Sequence, residues 1–363
     1  MRRRALVGIV LVLATGMMAA AAGTEATVLP APDGQTNHGP GLAELDDGRL
    51  LACWYSGSSE GNADSRILCA NSADKGAHWT GPRAVVVPGE QADGARNAAK
   101  SVGNVTLHRD GAGRLWLIYG VIQRWSWPIL GNVCRNWFCG RVDGKVSTDQ
   151  GDSWSAPVRL DDDVGALPRG RPALVPGLGD VLPLYHEGER RAYLRILDLA
   201  TWRGGLAPSS RVVPLPGEGV IQPALLSTGH GTFRIYLRDS RGQVVRTTIW
   251  NGVDDQAAPV GDTDVPNPDS AVEVFAGEDG TAVLLFNPGP DNRLALRLAD
   301  SRDGRHFHQG CDLVGPAAEG EVAYPAVIRA SDGEWHVLYS SDGKTRIRHR
   351  HFDASWLRAC LGE

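Results

Sequence analysis

The sequence predicts an all-β chain folded as a six-bladed β-propeller of four-stranded antiparallel sheets. Three observations carry that expectation. A turn frame, Ser-x-Asp-x-Gly-x-x-Trp, is written at Ser72–Trp79 and again at Ser147–Trp154, with a worn copy at Ser301–Phe307 that is one residue shorter and has Phe in the Trp place. Each copy follows one apolar strand-like run and precedes another. Asp and Ser there satisfy a turn's own backbone donors, Gly supplies the positive φ and the aromatic packs under the next unit. Short runs bounded by Gly, Asp, Asn and Pro recur in six units of roughly 40–60 residues, the size of a propeller blade. Finally, 45 Gly, 22 Pro and 11 Trp accompany no long helical pattern. Radial repetition of small sheets is an economical way to close such a chain.

Taken in order, Arg2-Arg3-Arg4 precede an apolar run from Ala5 to Ala22, and Ala20-Ala21-Ala22 or Thr24-Glu25-Ala26 offers a cleavage site. Residues 1–26 therefore read as a signal peptide and 27–363 as one propeller domain. The run approaches spanning length, so an uncleaved anchor is the alternative; the Ala-rich end favours cleavage. No later run is long and apolar enough to cross a membrane, and an exported, secreted or periplasmic, monomer is expected. The first unit holds strands at Gly41–Leu45, Leu50–Tyr55, Arg66–Ser72 and Ala84–Val87. The second holds Val105–His108, Leu115–Val121, Gly140–Ser147 and Val158–Leu160. The third holds Pro172–Val175, Val181–Tyr185, Ala192–Leu197 and Val212–Leu215. The fourth shows only Pro223–Leu226, Phe233–Leu237 and Val244–Ile249. The fifth holds Ala271–Phe275, Ala282–Phe286, Leu294–Leu298 and Cys311–Val314, and the sixth Ala323–Ile328, Trp335–Tyr339 and Arg346–Phe352.

Export makes the six cysteines readable as three disulfides, for which fifteen pairings exist. Cys53–Cys69, Cys134–Cys139 and Cys311–Cys360 is the pairing that fits the strands. No Cys-x-x-Cys or paired His spacing supports a metal site instead, and neither metal nor cofactor is implied. With a net charge of −5 and no basic stripe interleaved with aromatics, nucleic acid is not an expected partner. Arg346-Ile347-Arg348-His349-Arg350-His351 reads as one solvated strand face, and Asp161-Asp162-Asp163 as an exposed loop.

In a propeller whose strands run a to d from the centre outward, the starts of a, the ends of b and the starts of c share one face. The Asp-bearing turns between c and d lie on the other. His38, Asp64, Gln222, Arg238, Arg293 and Tyr324 fall on the first face and should converge at one mouth of the channel. Glu187, Asn267, Asp269 and Asn287 lie near strand ends there. The aromatic insert with Trp125 and Trp127, and Trp137 in the small cysteine loop, falls on the same face, where rings stack on sugars or pack against the third blade.

These positions, the Asp-bearing turns and phrases such as Trp54–Gly61, Leu182–Glu187, Ile221-Gln222-Pro223, Pro266–Ser270 and Ala323–Ala326 resemble the bacterial sialidases (neuraminidases), in the branch with repeated Asp boxes. The resemblance covers nearly the whole mature chain. It implies a secreted exo-glycosidase that releases a terminal acidic sugar from glycans or glycoconjugates. It also implies Tyr324 as nucleophile, Asp64 as acid and base, and Arg238 and Arg293 as two of three arginines gripping the substrate carboxylate. A neutral phenol is not repelled by that carboxylate, and a planar guanidinium binds two oxygens at once. Trp125, Trp127, Asn267 and Glu187 complete the expected substrate contacts.

Two positions depart. His38 stands where sialidases open their arginine triad, and Gln222 stands where they place the Glu that takes the tyrosine's proton. Gln orients a phenol but accepts no proton from it; His38, if close enough, supplies the missing base. A uronic-acid polysaccharide lyase or hydrolase on the same scaffold, with His38 and Tyr324 as acid and base, and a non-catalytic carbohydrate-binding propeller are the alternatives.

Overall fold

Each unit forms its own antiparallel sheet, because consecutive strands are joined by turns too short to reach any other partner. A computed structural model describes residues 26–123, 126–127, 131–132, 136–202, 210–253, 256–316 and 320–362. Six sheets are arranged radially, and most inner strands pack against the inner strands of neighbouring blades. In blade one the strands are Thr36–Glu44, Leu50–Gly57, Arg66–Ser72 and Arg83–Val86. Blade two has Ala99–Arg109, Leu115–Gln123, Gly140–Ser147 and Val158–Asp161. Blade five has Glu273–Ala276, Ala282–Phe286, Leu296–Ser301 and His308–Val314. The predicted six-bladed propeller is the observed fold.

Three elements differ from expectation. Blade four (Val220–Gly229, Thr232–Asp239, Val244–Asn251) has an outer strand at Gly261–Pro266. Its apolar pattern is too thin to read: Thr263 and Val265 are buried between exposed Asp262 and Asp264. In blade three the inner strand is split into Ala166–Pro168 and Ala173–Val175, both paired with Gly179–His186, followed by Arg191–Leu197 and Ser210–Pro214. Blade six (Ala323–Arg329, Trp335–Ser341, Arg346–Phe352) takes its fourth strand from the other end of the chain, where Thr27 and Val28 pair with His349 and Arg348. Asn37 secures this closure. Its fully buried amide donates to Pro32 O, Gln35 O and Thr345 O at 3.2, 3.2 and 2.9 Å, while its oxygen accepts from Trp54 Nε1 at 3.0 Å.

The repeated turn works as its residues suggest. In the first copy Ser72 Oγ accepts from Gly76 N at 2.8 Å, Asp74 Oδ1 accepts from His78 N at 2.8 Å, and Trp79 is buried against His349. The second copy repeats the first two bonds at Ser147 and Asp149, each at 2.8 Å. The worn copy keeps Gly304 N to Ser301 Oγ at 2.8 Å and seats Phe307 edge-on to Tyr236.

Two surface readings are corrected. Asp161 is buried, holding Tyr193 Oη at 2.9 Å and Arg195 at 2.8 Å, because the strand extends one residue further than its apolar part. The basic strand is not a solvated face: Ile347 and His349 turn into the seam with blade one, and Arg346, Arg348 and Arg350 are half-buried. Ala354–Leu361 forms a short helix that the sequence reading missed, capped by Asp353 on Trp356 N at 2.8 Å and ended by left-handed Gly362. Its Leu357 and Leu361 are buried on blade five.

Cys53 and Cys69 face each other in register and are joined, and Cys311 is joined to Cys360 of the helix. Cys139 is also disulfide-bonded; its predicted partner Cys134 lies outside the described residues. The Cys311–Cys360 bridge closes a long loop onto the terminal helix. Cys360→Ala should therefore lower the unfolding free energy by about 2–4 kcal/mol, read by urea titration under non-reducing conditions. Peptide maps should return both described bridges.

Candidate active site

All six inner strands are broken or not yet begun at one level near the predicted mouth. Bulges shift register between His38 and Gly41, Gly103 and Thr106, Ile221 and Ala224, and Ala323 and Ala326. Blade three breaks at Arg169–Pro172, and blade five starts only at Glu273. Asn104, Gln222, Asp269 and Tyr324 adopt positive φ of 48°, 51°, 49° and 57° at these breaks. Such conformations cost about 1–3 kcal/mol each and persist only where the surroundings enforce them. A bulge re-aims a side chain, and here the breaks bring Tyr324, Gln222, Arg238, Arg169 and His38 together in the centre. Gly170 is required at the blade three break, since a Cβ there would lie 2.0 Å from Pro223 O.

Tyr324 is the focus. Its Oη accepts from Gln222 Nε2 at 3.1 Å and from Arg238 Nη1 at 3.2 Å. Gln222 Oε1 also accepts from Arg238 Nη1, at 3.0 Å, which fixes the amide with its NH2 toward the phenols of Tyr324 and Tyr185. Both lone pairs of the Tyr324 hydroxyl are thus engaged, and its proton points away from both donors. Arg169 lies across the tyrosine ring, 4.9 Å from its centroid, and donates to Pro325 O at 2.7 Å.

Arg238 Nε donates to Asp269 Oδ1 at 2.6 Å, and Arg293 donates to the Asp269 carbonyl, so one loop residue holds both predicted arginines. Burial opposes the charge on Arg238, but Tyr324 and Asp269 more than restore it and its pKa is raised. Asn267 and Asn287 are fully buried and build this loop. Asn267 bonds Ser270 twice, and Asn287 accepts from Ser270 Oγ at 2.6 Å and donates to Val322 O.

His38 is buried, its ring 4.3 Å from that of Tyr324, but its Nδ1 is on Ser340 Oγ at 2.7 Å. Burial first, then Lys344, Arg169, Arg293 and Arg238, push the imidazole well below its usual range, so it is neutral. Among the described residues no hydrogen bond joins it to the Tyr324 hydroxyl. Asp64 is exposed in its loop, its two oxygens accepting from Ser58 N and Oγ at 2.9 and 3.0 Å. Glu187 is partly buried and paired with Arg190 at 3.2 Å; burial raises its carboxyl pKa, with Asp269 and Glu60 adding to the rise. Trp125 lies outside the described residues, and of Trp127 only the backbone is described, pairing with Gly131. Trp137 packs on Leu167 and Tyr185 and donates to Glu60 at 3.2 Å.

Arg169, Tyr185, Asn104 and Ser340 were missed by the sequence reading. Arg169 and Asn104 sit where inner strands break, and the apolar pattern resumes only after each. The channel beneath closes to a void of about 10 Å³ at Pro40, Thr106, Glu273 and Ala326, and a separate cavity of about 410 Å³ opens at the far mouth. That cavity is the roomier of the two, but Tyr324, Gln222, Arg238, Arg169 and His38 converge at the other mouth, with Asn104 and Asp269 among the positive-φ residues there.

A family profile described as a BNR repeat-like domain matches residues 48–337. Among solved structures, a protein of unknown function from Dyadobacter fermentans aligns with TM-score 0.70 at 13% identity, covering 91% of this chain and 98% of that one. The NanB sialidase from Streptococcus pneumoniae aligns with TM-score 0.68 at 10% identity, over 92% of this chain and 70% of that one. The intramolecular trans-sialidase from Ruminococcus gnavus gives 0.65 at 12% identity, over 88% and 95%. These similarities establish a shared fold. No curated protein sequence matches the chain.

The raised Glu187 carboxyl has a linkage consequence. Its protonated form is favoured by the fold, so its contribution is most favourable below about pH 4.3 and is lost as pH rises through the folded-state pKa. Glu187→Gln should remove that loss, so stability measured by urea unfolding falls less between pH 4 and pH 7 than in the parent.

Proposed function

The chain belongs to the BNR repeat-like domain family, and we propose that it is an exported glycoside hydrolase of the sialidase type, releasing a terminal acidic sugar, sialic acid or a relative, from glycans. The observation that carries this reading is the Tyr324 hydroxyl held by Gln222 and Arg238, with Arg238 and Arg293 gathered on Asp269 beside it. Two fixed cations next to a phenol are suited to a sugar whose carboxylate adjoins its reacting carbon.

In this reading the substrate carboxylate draws Arg238 and Arg293 toward itself. As Arg238 Nη1 shifts from the phenol to the carboxylate, a lone pair on Tyr324 is released for attack on the anomeric carbon. The Tyr324 oxygen–carbon bond forms, the glycosidic carbon–oxygen bond breaks, and the leaving oxygen takes a proton. Asp64 is the donor the family resemblance implies; Glu187, half-buried with its carboxyl pKa raised, is the donor favoured by electrostatics. The phenolic proton passes to solvent water at the open mouth, since Gln222 presents its NH2 and accepts nothing there. Water then cleaves the glycosyl–tyrosine bond, with the same carboxylate as base.

One observation favours a second reading, a carbohydrate-binding propeller without turnover: the group nearest the Tyr324 hydroxyl is an amide that donates rather than a carboxylate that accepts.

A fluorogenic sialoside, a uronide polysaccharide followed by ultraviolet absorbance, and calorimetric titration of the sugar acid separate these readings. Sialoside turnover that largely stops in Tyr324→Phe and rises in Gln222→Glu is the expected result. Loss in Glu187→Gln with retention in Asp64→Asn, or the reverse, identifies the proton donor. Binding without turnover in the parent and in Gln222→Glu selects the second reading.

The arginine pair gives an independent test. Arg238→Ala or Arg293→Ala should weaken binding of the sugar acid by about 1.5–3 kcal/mol while barely affecting its neutral analogue; equal losses for both ligands would assign these arginines to the fold.

A further inference from the structure

On the opposite face, at the seam where the ring closes, blade six carries a column of imidazoles. His336 and His351 are direct cross-strand partners, and His349 stands two residues along the same strand face. The three rings stack at 5.3–5.8 Å between centroids. The turn Asp332-Gly333-Glu334, joining strands a and b, sets two carboxylates beside them. Asp332 Oδ1 is used by the turn, accepting from Glu334 N at 2.9 Å, and Oδ2 faces His336. Glu334 Oε2 meets His351 Nδ1.

One choice of tautomers serves the contacts within this column. His349 lies against Gly76 of the first Asp box and bonds its backbone. A buried neutral imidazole has one N–H to give. His349 gives its own to the Gly76 carbonyl, so its Nε2 accepts from His336 Nδ1, 3.1 Å away. His336, with a side chain only 1% exposed, is left with a bare lone pair on Nε2 aimed at Asp332 Oδ2 at 3.4 Å. An acceptor facing an acceptor in a buried place calls for a cation between them.

The spacing fits one. Ligand atoms of Asp332, Glu334 and His336 all lie within 4.8 Å of one another. The edge of a tetrahedron of zinc ligands at their usual bond lengths is about 3.3 Å, close to the gap between His336 and Asp332. A metal-bound histidine characteristically donates its other N–H to a fixed acceptor, as His336 does to His349. The cation at hand is Lys75, whose Nζ is 3.0 Å from Asp332 Oδ2 on a side chain that is 57% exposed and free to swing away.

We propose that Asp332, Glu334 and His336 form a binding site for a divalent transition-metal cation of the zinc class, which displaces Lys75 and clips the first turn of blade six beside the ring closure. One imidazole and two carboxylates, with a position left for water, are a donor set suited to such ions. The site lies on the face opposite Tyr324, so its role is structural.

The test uses the full folded chain and Zn2+ alone. Calorimetric titration should show one tight Zn2+ per chain, with a rise in thermal midpoint that a chelator reverses. His336→Ala risks the fold, so the partly exposed ligands are the better probes. Glu334→Gln and Asp332→Asn should each weaken Zn2+ binding by roughly 10–100-fold with unchanged circular dichroism, and Lys75→Met should tighten it. Absence of saturable Zn2+ binding, or equal affinity in the parent, Glu334→Gln and Asp332→Asn, would overturn the proposal. Unchanged or weaker affinity in Lys75→Met would overturn the placement of the ion.

Discussion

The candidate site depends on one constraint: the inner strands cannot run unbroken through the level of Tyr324. A regular strand sends successive side chains to opposite faces of its own sheet, which would turn these residues into the seams between blades. Breaking the strands with bulges and left-handed residues turns their side chains onto the central axis instead. The strain is carried by bonded residues, of which Asn104, Gln222 and Tyr324 are buried. Gln222 and Tyr324 constrain each other, and Asp269 is held by Arg238 and by the Asn267–Asn287 scaffold beneath its loop.

Arg238 organises the electrostatics within that frame. One guanidinium touches a carboxylate, an amide oxygen and a phenol. It orients Gln222, and with Lys344, Arg169 and Arg293 it adds to the burial that keeps His38 neutral. The neutral imidazole is buried, tilted against the Tyr324 ring and tied to Ser340. Among the described residues the two groups bonded to the Tyr324 hydroxyl, Gln222 and Arg238, both donate to it.

Much of the fold was legible because blades are local. Strands joined by short turns announce themselves through apolar runs and Gly-Asp punctuation, and the repeated Ser-x-Asp-x-Gly frame marked the outer hairpins. What stayed hidden was non-local or weakly apolar. Thr27–Val28 gains strand identity only from His349 and Arg348 across the ring, and Gly261–Pro266 has too few apolar residues to stand out. At the site, Tyr324, Gln222, Arg238 and Arg293 were found from their places at strand ends. Arg169 was missed because its strand is split around it. The depth of Asn267 was equally hidden: a polar residue in a Pro-Asn-Pro-Asp turn reads as exposed until its partner Ser270 is seen to be buried as well.

The two-residue strand that completes blade six has a kinetic meaning. Joining Thr27 to His349 brings together segments from the two ends of the fold, and closing so long a loop is the slowest kind of contact to form. Five blades can assemble as the chain grows, but the sixth waits for both ends. In that interval the seam lined by Leu42, Trp54 and Ile347 lies open to other chains. Thr27–Val28 is too short to template a neighbour by itself, and the arginines of Arg346–Phe352 discourage pairing along the waiting edge. The longer this ring stays open, the longer that apolar seam is available to neighbouring chains.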